Sequence, residues 1–117
     1  MPTKRICLVP TNAGEYDAVW NLTIDVVLNE DGTASRRMTA FGVRGSLGNA
    51  PINLELFLLR PDGAVDFGTD YDDVEDRDAR FNLRDAGRRV VVGELFTFTD
   101  GNEGEIIYRV TQVIDPE

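Results

Sequence analysis

The side chains that could do chemistry in this chain are mostly carboxylates, and they are concentrated in one segment. Between residues 62 and 78 the sequence holds eight acidic residues and one basic residue, so this acidic segment carries −7 of the formal net charge of −9. Carboxylate oxygens are the ligands that Ca²⁺ takes in proteins, and concentrated negative charge speeds association with a basic protein. The segment therefore has three interpretations: a cation site, a docking surface for a basic partner, or a solvated loop.

The calcium interpretation depends on ligand spacing. Counted from Asp62, aspartates occupy positions 1, 5, 9 and 12 of the twelve-residue loop of helix–loop–helix calcium proteins. That loop also needs a ligand at position 3 and glycine at position 6, where this chain has Ala64 and Phe67, so the motif itself is rejected. A looser all-oxygen calcium site stays open, because a divalent cation would relieve the repulsion within the segment. Its predicted ligands are Asp62, Asp66, Asp70 and Asp73.

The docking interpretation uses the same segment as a surface. We expect residues 68–78 to form an exposed loop, because seven net negative charges cannot all be buried or paired locally. A basic protein is then the predicted partner. The predicted partner-binding residues are Asp66, Asp70, Asp72, Asp73, Glu75 and Asp76.

A second candidate site lies near the C-terminus, where two predicted strands would form a hairpin across Asp100-Gly101. The register that best separates polar from apolar residues pairs Thr99 with Glu105 and puts Glu94 on the apolar face. A one-residue slip would instead make Glu94 part of a surface ion pair, and a bulge at Gly93 would turn it outward.

In the first register, burial of the Glu94 carboxylate is costly unless the group is hydrogen-bonded. A structural polar cluster would satisfy it. A pocket inside the sheet, in which the carboxylate orients a small ligand, is the functional alternative. The predicted ligand-binding residues of such a pocket are Glu94, Tyr108 and Gln112.

The absence of histidine excludes many enzyme classes. Without histidine the chain has no Ser-His-Asp or Cys-His nucleophile, and its one cysteine, Cys7, cannot complete a Cys/His zinc site. Carboxylate catalysis and cation binding are the chemistry that remains. We therefore expect a binding module with no catalytic residue. A calcium-binding domain is the first alternative, and a carboxylate-based enzyme with a pocket around Glu94 is the second.

Charge and hydropathy bound the partners and the compartment. Nucleic acid is excluded as a partner because its binding needs clustered Lys and Arg. No apolar run approaches the roughly 18–20 residues that span a membrane, and "ICLVP" after Arg5 is too short for the apolar part of a signal peptide. A single cysteine fits a reducing compartment, so a cytoplasmic protein is expected. Arginine supplies eleven of the twelve basic residues, which suggests a bacterial or phage gene.

The elements that must position these residues are strands, because the dominant period along the chain is two. Alternation predicts strands in "KRICLVP", "WNLTIDVVL", "INLELFLL", "VVVGELFTFT" and "EIIYRVTQVI". Asp-Gly pairs at 31–32, 62–63 and 100–101 supply the positive φ that tight hairpins need. Accordingly, "ASRRMTAFGV" is the predicted return strand of the first hairpin, and "AVDF" is a short strand after the second.

These patterns predict one all-β domain over residues 1–117. The expected architecture is an antiparallel β-sandwich or a small β-barrel of seven to eight strands. At most one short helix is allowed, between residues 72 and 86. The expected function is a small acidic interaction module that docks a basic protein through residues 62–78.

Overall fold

Eight antiparallel strands form one sheet that curls into a nearly closed barrel. The computed structural model describes residues 3–11, 21–45, 55–67, 79–85, 87–100 and 104–115. The strands are β1 (Thr3–Pro10), β2 (Leu22–Val27), β3 (Ala40–Arg44), β4 (Glu55–Leu59), β5 (Val65–Asp66), β6 (Arg80–Phe81), β7 (Leu95–Asp100) and β8 (Gly104–Ile114). Within these ranges the only helical element is one 3₁₀ turn, Asn82–Arg84, and no helix is long and apolar enough to span a membrane. The predicted all-β class is confirmed.

The pairing of the strands decides between the two predicted architectures. Strands adjacent in sequence pair with each other except β5 and β6, which form the two edges, and β1 pairs with β8. The order is β5-β4-β3-β2-β1-β8-β7-β6. The two edges also meet, because Ala64 and Arg80 form an antiparallel bridge. Hydrogen bonds of 2.9 Å from Val65 N to Ala79 O and from Phe81 N to Gly63 O flank that bridge. The fold is therefore an up-and-down barrel rather than a sandwich.

Two hairpin turns at one end of the barrel share the same backbone geometry. We call this the lower end, formed by residues 28–39, 60–64, 82–85 and 87–94. Gly32 and Gly63 adopt φ of 88° and 93°. The flanking residues close each turn, with Asn29 N donating to Thr33 O and Arg60 N donating to Ala64 O. The Asp-Gly turns predicted at these two positions are confirmed.

The interior of the barrel is filled by side chains from the inward faces of the strands. Four aromatic rings pack together with centroids 5.6–6.3 Å apart. They belong to Phe81, Phe96, Phe98 and Tyr108, all of which are at most 1% exposed. Burying each large apolar side chain contributes roughly 1.5–3 kcal/mol. An eight-stranded barrel is just wide enough for its side chains to fill, so this interior serves as a core.

The return strand of the first hairpin starts later than predicted. It begins at Ala40 rather than Ala34, which forms only an isolated bridge with Leu28. The hydroxyl of Ser35 accepts a 3.3 Å hydrogen bond from the backbone N–H of Arg37. Such a local bond gives the backbone a partner outside the sheet, so the chain leaves the ladder before β3 begins.

β7 also starts later than predicted, at Leu95 rather than in the preceding valine run. Gly93 has a φ of 94°, and Glu94 N donates to Val91 O, so a turn replaces the start of the strand. Gly93 N donates to Val110 O, and Val110 N donates to Glu94 O. Two residues therefore face one across the ladder, which is the bulge that the sequence allowed at this glycine.

The residues of β4 alternate between two faces, and the set that contains the charged residue Glu55 is the one that faces the core. Phe57 and Leu59 are buried, whereas Leu56 and Leu58 are 59% and 42% exposed. The neighbouring strand explains the choice, because Gly42 lies opposite Phe57 and Ala40 lies opposite Leu59 on the inner face. These two small residues leave the space that the large inward side chains occupy.

Candidate functional site

The outer wall of β3 and β4 carries a contiguous group of apolar side chains. Phe41 lies directly opposite Leu58, and Val43 lies directly opposite Leu56. Three of the four are at least 42% exposed, and Val43 is half-buried. Directly opposed residues on one face of a sheet are in contact. The four side chains therefore form one patch, here called the apolar face.

A crevice opens beside the apolar face where β5 ends. β5 pairs with only two residues of β4, so the rest of β4 extends beyond it. The crevice has a volume of about 210 Å³. That is below the roughly 300–1,000 Å³ of small-molecule pockets, so it suits a single apolar side chain. Its lining consists of Phe41, Leu56, Phe57, Leu58, Asp66 and Phe67.

Two aromatic rings lie at the base of this apolar crevice. The rings of Phe57 and Phe67 have centroids 5.8 Å apart and are tilted by 58°. Phe57 can lie where it does because Gly42 has no Cβ. A Cβ at that position would come within 2.5 Å of ring atom Cε2 and 2.9 Å of Cε1. A glycine opposite an aromatic residue is a known device for shaping a curved sheet.

Ion pairs stand near the crevice. Arg44 donates to the Glu55 carboxylate from Nη2 at 2.8 Å and from Nε at 3.0 Å, and its guanidinium lies 4.7 Å from the ring centroid of Phe67. Arg60 Nη2 lies 2.5 Å from Asp66 Oδ2, and this hydrogen bond raises the pKa of Arg60. Both carboxylates are thus locally balanced. Six further acidic residues of the segment follow Phe67 in the sequence.

Two of the predicted calcium ligands can be located. Asp62 Oδ1 accepts a 3.0 Å hydrogen bond from Ala64 N within its own turn, and Asp66 pairs with Arg60. The described residues contain no group of three or more acidic or cysteine side chains that could hold a metal ion. The other predicted ligands and partner-binding residues lie outside the described residues: Asp70, Asp72, Asp73, Glu75 and Asp76. The calcium site and the acidic docking residues stay predictions.

The predicted pocket residues occupy three different environments. The register is confirmed, since Thr99 pairs with Glu105. Tyr108 is fully buried in the aromatic core, and Glu94 is half-buried after its bulge. Gln112 is exposed rather than on the apolar face. The crevice and the cavity at the lower end are lined by other residues, and ligand binding by these three stays a prediction.

An irregularity in the pairing of β8 with β1 explains the position of Gln112. Cys7 pairs with Gln112, but the next residue of β1, Leu8, pairs with Val110. The extra residue in β8 shifts the alternation, so Val113 packs against the core in place of Gln112. The sequence holds no local signal for this shift, because it arises between strands that are distant along the chain.

The exposed residues of β3 and β4 are the part of the site that the sequence interpretation missed. One signal was present, since both alternating sets of "INLELFLL" contain large apolar residues. A small barrel has room for only one of the two sets. One apolar set must therefore face outward.

Comparisons of the chain with protein-family models, with curated proteins and with solved structures find no match in any of the three. A functional assignment therefore depends on the geometry and charge of the site itself.

Proposed function

We propose that the protein is an interaction module whose apolar face and crevice dock a basic partner protein. The observation that carries this proposal is the exposure of Phe41, Leu56 and Leu58 on two adjacent strands. Contiguous apolar groups on a protein surface mark interaction sites more often than isolated ones do. The packed interior supports the same view, because a filled core leaves binding to the outer surface of the barrel and its ends.

The charge of the chain supports a basic partner. The acidic segment passes through Asp66 and Phe67 at the crevice and continues with six more acidic residues. Such a concentration of charge attracts a cationic surface and orients it before contact. A second copy of this chain is a poor occupant of the apolar face, because both copies would carry a charge of −9. Because the chain has a single cysteine, we place this interaction in the cytoplasm.

The size and lining of the crevice indicate which side chain of the partner it would accept. A volume of about 210 Å³ with aromatic rings at its base accepts one leucine, methionine or phenylalanine side chain. Lys or Arg on either side of that anchor would complement the negative charge of the acidic segment. A few buried apolar anchors usually carry most of the binding energy of an interface, with a polar rim around them. The proposed ligand is therefore a basic segment with one apolar anchor.

The proposal is tested by selecting binders from a random peptide library displayed on phage, with the purified protein as bait. We expect the selected peptides to carry net positive charge and a recurrent aliphatic or aromatic residue. Affinities are then measured for the wild type, for Leu56→Asp and for Ile107→Asp. The last variant is a matched control, because Ile107 is 45% exposed on β8 at the opposite wall and receives the same charge.

Leu56→Asp should weaken binding by about 2 kcal/mol, the size of a typical hot-spot loss, whereas Ile107→Asp should leave it unchanged. Raising the salt concentration should weaken the wild-type complex, because exposed charges are then screened. Selection of acidic peptides would contradict the proposal. Equal loss in both variants, or a stable dimer that covers the apolar face, would do the same.

A further inference from the structure

Arg84 is a buried arginine at the lower end of the barrel. It lies in the 3₁₀ turn after β6 and is only 3% exposed. Its Nη1 donates to Leu59 O at 3.0 Å, and its Nη2 donates to Met38 O. One guanidinium therefore joins the 3₁₀ turn to the end of β4 and to the connection before β3. Its Nε is buried and has no hydrogen-bond partner among the described residues.

The charge of Arg84 is not balanced by any carboxylate in the described part of the chain. Its only partners there are two backbone carbonyls, and burial lowers the pKa of Arg84 with no acidic group opposing the change. A buried charge without a counterion is costly. Two of the five guanidinium N–H groups are used by the carbonyls, so donors remain as well as charge.

Arg84 forms part of the lining of a cavity at the lower end. This lower cavity has a volume of about 380 Å³, which is within the usual range for small ligands. Arg36 and Arg37 also line it; both are exposed, and neither side chain has an ion pair among the described residues. Buried Ser35 adds a hydroxyl group.

Two acidic residues are also among the described residues of the lining. Unlike the buried charge of Arg84, their charges are already satisfied by local hydrogen bonds or by solvent. Asp31 accepts hydrogen bonds from the backbone N–H of Thr33 at 3.0 Å and from its hydroxyl at 2.7 Å. These bonds lower the pKa of Asp31 and hold its carboxylate on its own turn. Asp85 is exposed, where its charge is well solvated. Among the described lining residues, three arginines and two aspartates give the lower cavity an excess of positive charge, part of it buried.

We propose that the lower cavity binds a small oxyanion, with Arg84 attracting it from within and Arg36 and Arg37 holding it from the rim. Guanidinium groups form strong, often paired hydrogen bonds with carboxylate and phosphate oxygens. The ligand class is a small organic acid or a phosphate ester. This site uses the lower end of the barrel and is independent of the apolar face on the wall.

The test is a ligand titration, in which binding is measured by isothermal titration calorimetry and by the change in melting temperature. The probes are inorganic phosphate and citrate, each at constant ionic strength balanced with sodium chloride. We expect saturable binding of at least one probe by the wild type. Arg36→Gln combined with Arg37→Gln should weaken that binding at least about tenfold, because two charge-assisted contacts are lost. Arg109→Gln, an exposed arginine on β8, is the control and should bind as the wild type does.

Arg84→Met removes the buried charge but also two hydrogen bonds to the backbone, so it is expected to destabilise the fold. The test therefore relies on Arg36→Gln with Arg37→Gln, because both side chains are exposed and neither has an ion pair among the described residues. Tighter binding of phosphate assigns the site to phosphate esters, and tighter binding of citrate assigns it to organic acids. Absence of saturable binding by either probe, or equal binding by the double variant and the wild type, would overturn the proposal.

Discussion

Replacing Gly42 with alanine tests the packing that shapes the crevice. The new methyl group would lie 2.5 Å from Cε2 of Phe57 and 2.9 Å from Cε1, whereas real Cβ atoms essentially never come within 3.0 Å of a non-bonded atom of a distant residue. Phe57 is 2% exposed and packs against Phe67, so its ring cannot move without disturbing the core. Overpacking of this kind costs about 1–3 kcal/mol. Alanine also lowers the conformational entropy of the unfolded chain, which stabilises the folded state by about 0.4–1 kcal/mol. We therefore expect Gly42→Ala to lower the free energy of unfolding by about 1–2 kcal/mol.

Urea unfolding measures this loss of stability as a shift in the transition midpoint, provided that the dependence of the free energy of unfolding on urea concentration is unchanged. Phe57→Leu and the double variant complete a double-mutant cycle. Leucine lacks the ring atoms that clash, so the double variant should be more stable than the two single losses predict, by about 1 kcal/mol or more. If Gly42→Ala were as stable as the wild type, the ring would not lie over Gly42, and the described base of the crevice would be wrong.

Three further outcomes are expected. The Thr33 hydrogen bonds lower the pKa of Asp31 in the folded state. Their contribution to stability is therefore present above about pH 4 and is lost as the pH falls through the folded-state pKa. NMR titration should give a higher Asp31 pKa in Thr33→Val than in the wild type. Burial raises the pKa of the Cys7 thiol, so alkylation by iodoacetamide at pH 8 should be slower in the folded protein than in urea, and equal rates would contradict the described burial. If the acidic segment serves docking alone, calcium below 1 mM should not raise the melting temperature saturably; such a rise, lost on Asp70→Asn with Asp73→Asn, would assign the segment to a cation site.

The turns and the last hairpin could be predicted from the sequence because their signals are local. Gly32 and Gly63 supply a backbone conformation that other residues rarely adopt, and each follows an aspartate that hydrogen-bonds within the turn. The pairing of Thr99 with Glu105 could likewise be predicted, because a short connection restricts which residues can face each other.

The faces of β4 and the end of β8 could not be predicted because they depend on other strands. Leu56 is exposed, and Phe57 buried, because β3 presents Gly42 to the interior. Gln112 is displaced from the core by the shift in pairing with β1. The burial of Arg84 has the same origin, since the carbonyls that bind it belong to the last residue of β4 and to the connection before β3. Local alternation specifies a strand, but tertiary pairing decides which of two apolar sets is inside.

The most direct test of the proposed docking function is NMR mapping of a basic peptide with one apolar anchor, titrated into the isotopically labelled protein. We expect the largest chemical-shift changes at Phe41, Val43, Leu56 and Leu58, and we expect them to diminish as salt is added. Shift changes concentrated around Ile107 on the opposite wall, or at the lower cavity, would contradict the assignment of the apolar face as the docking surface.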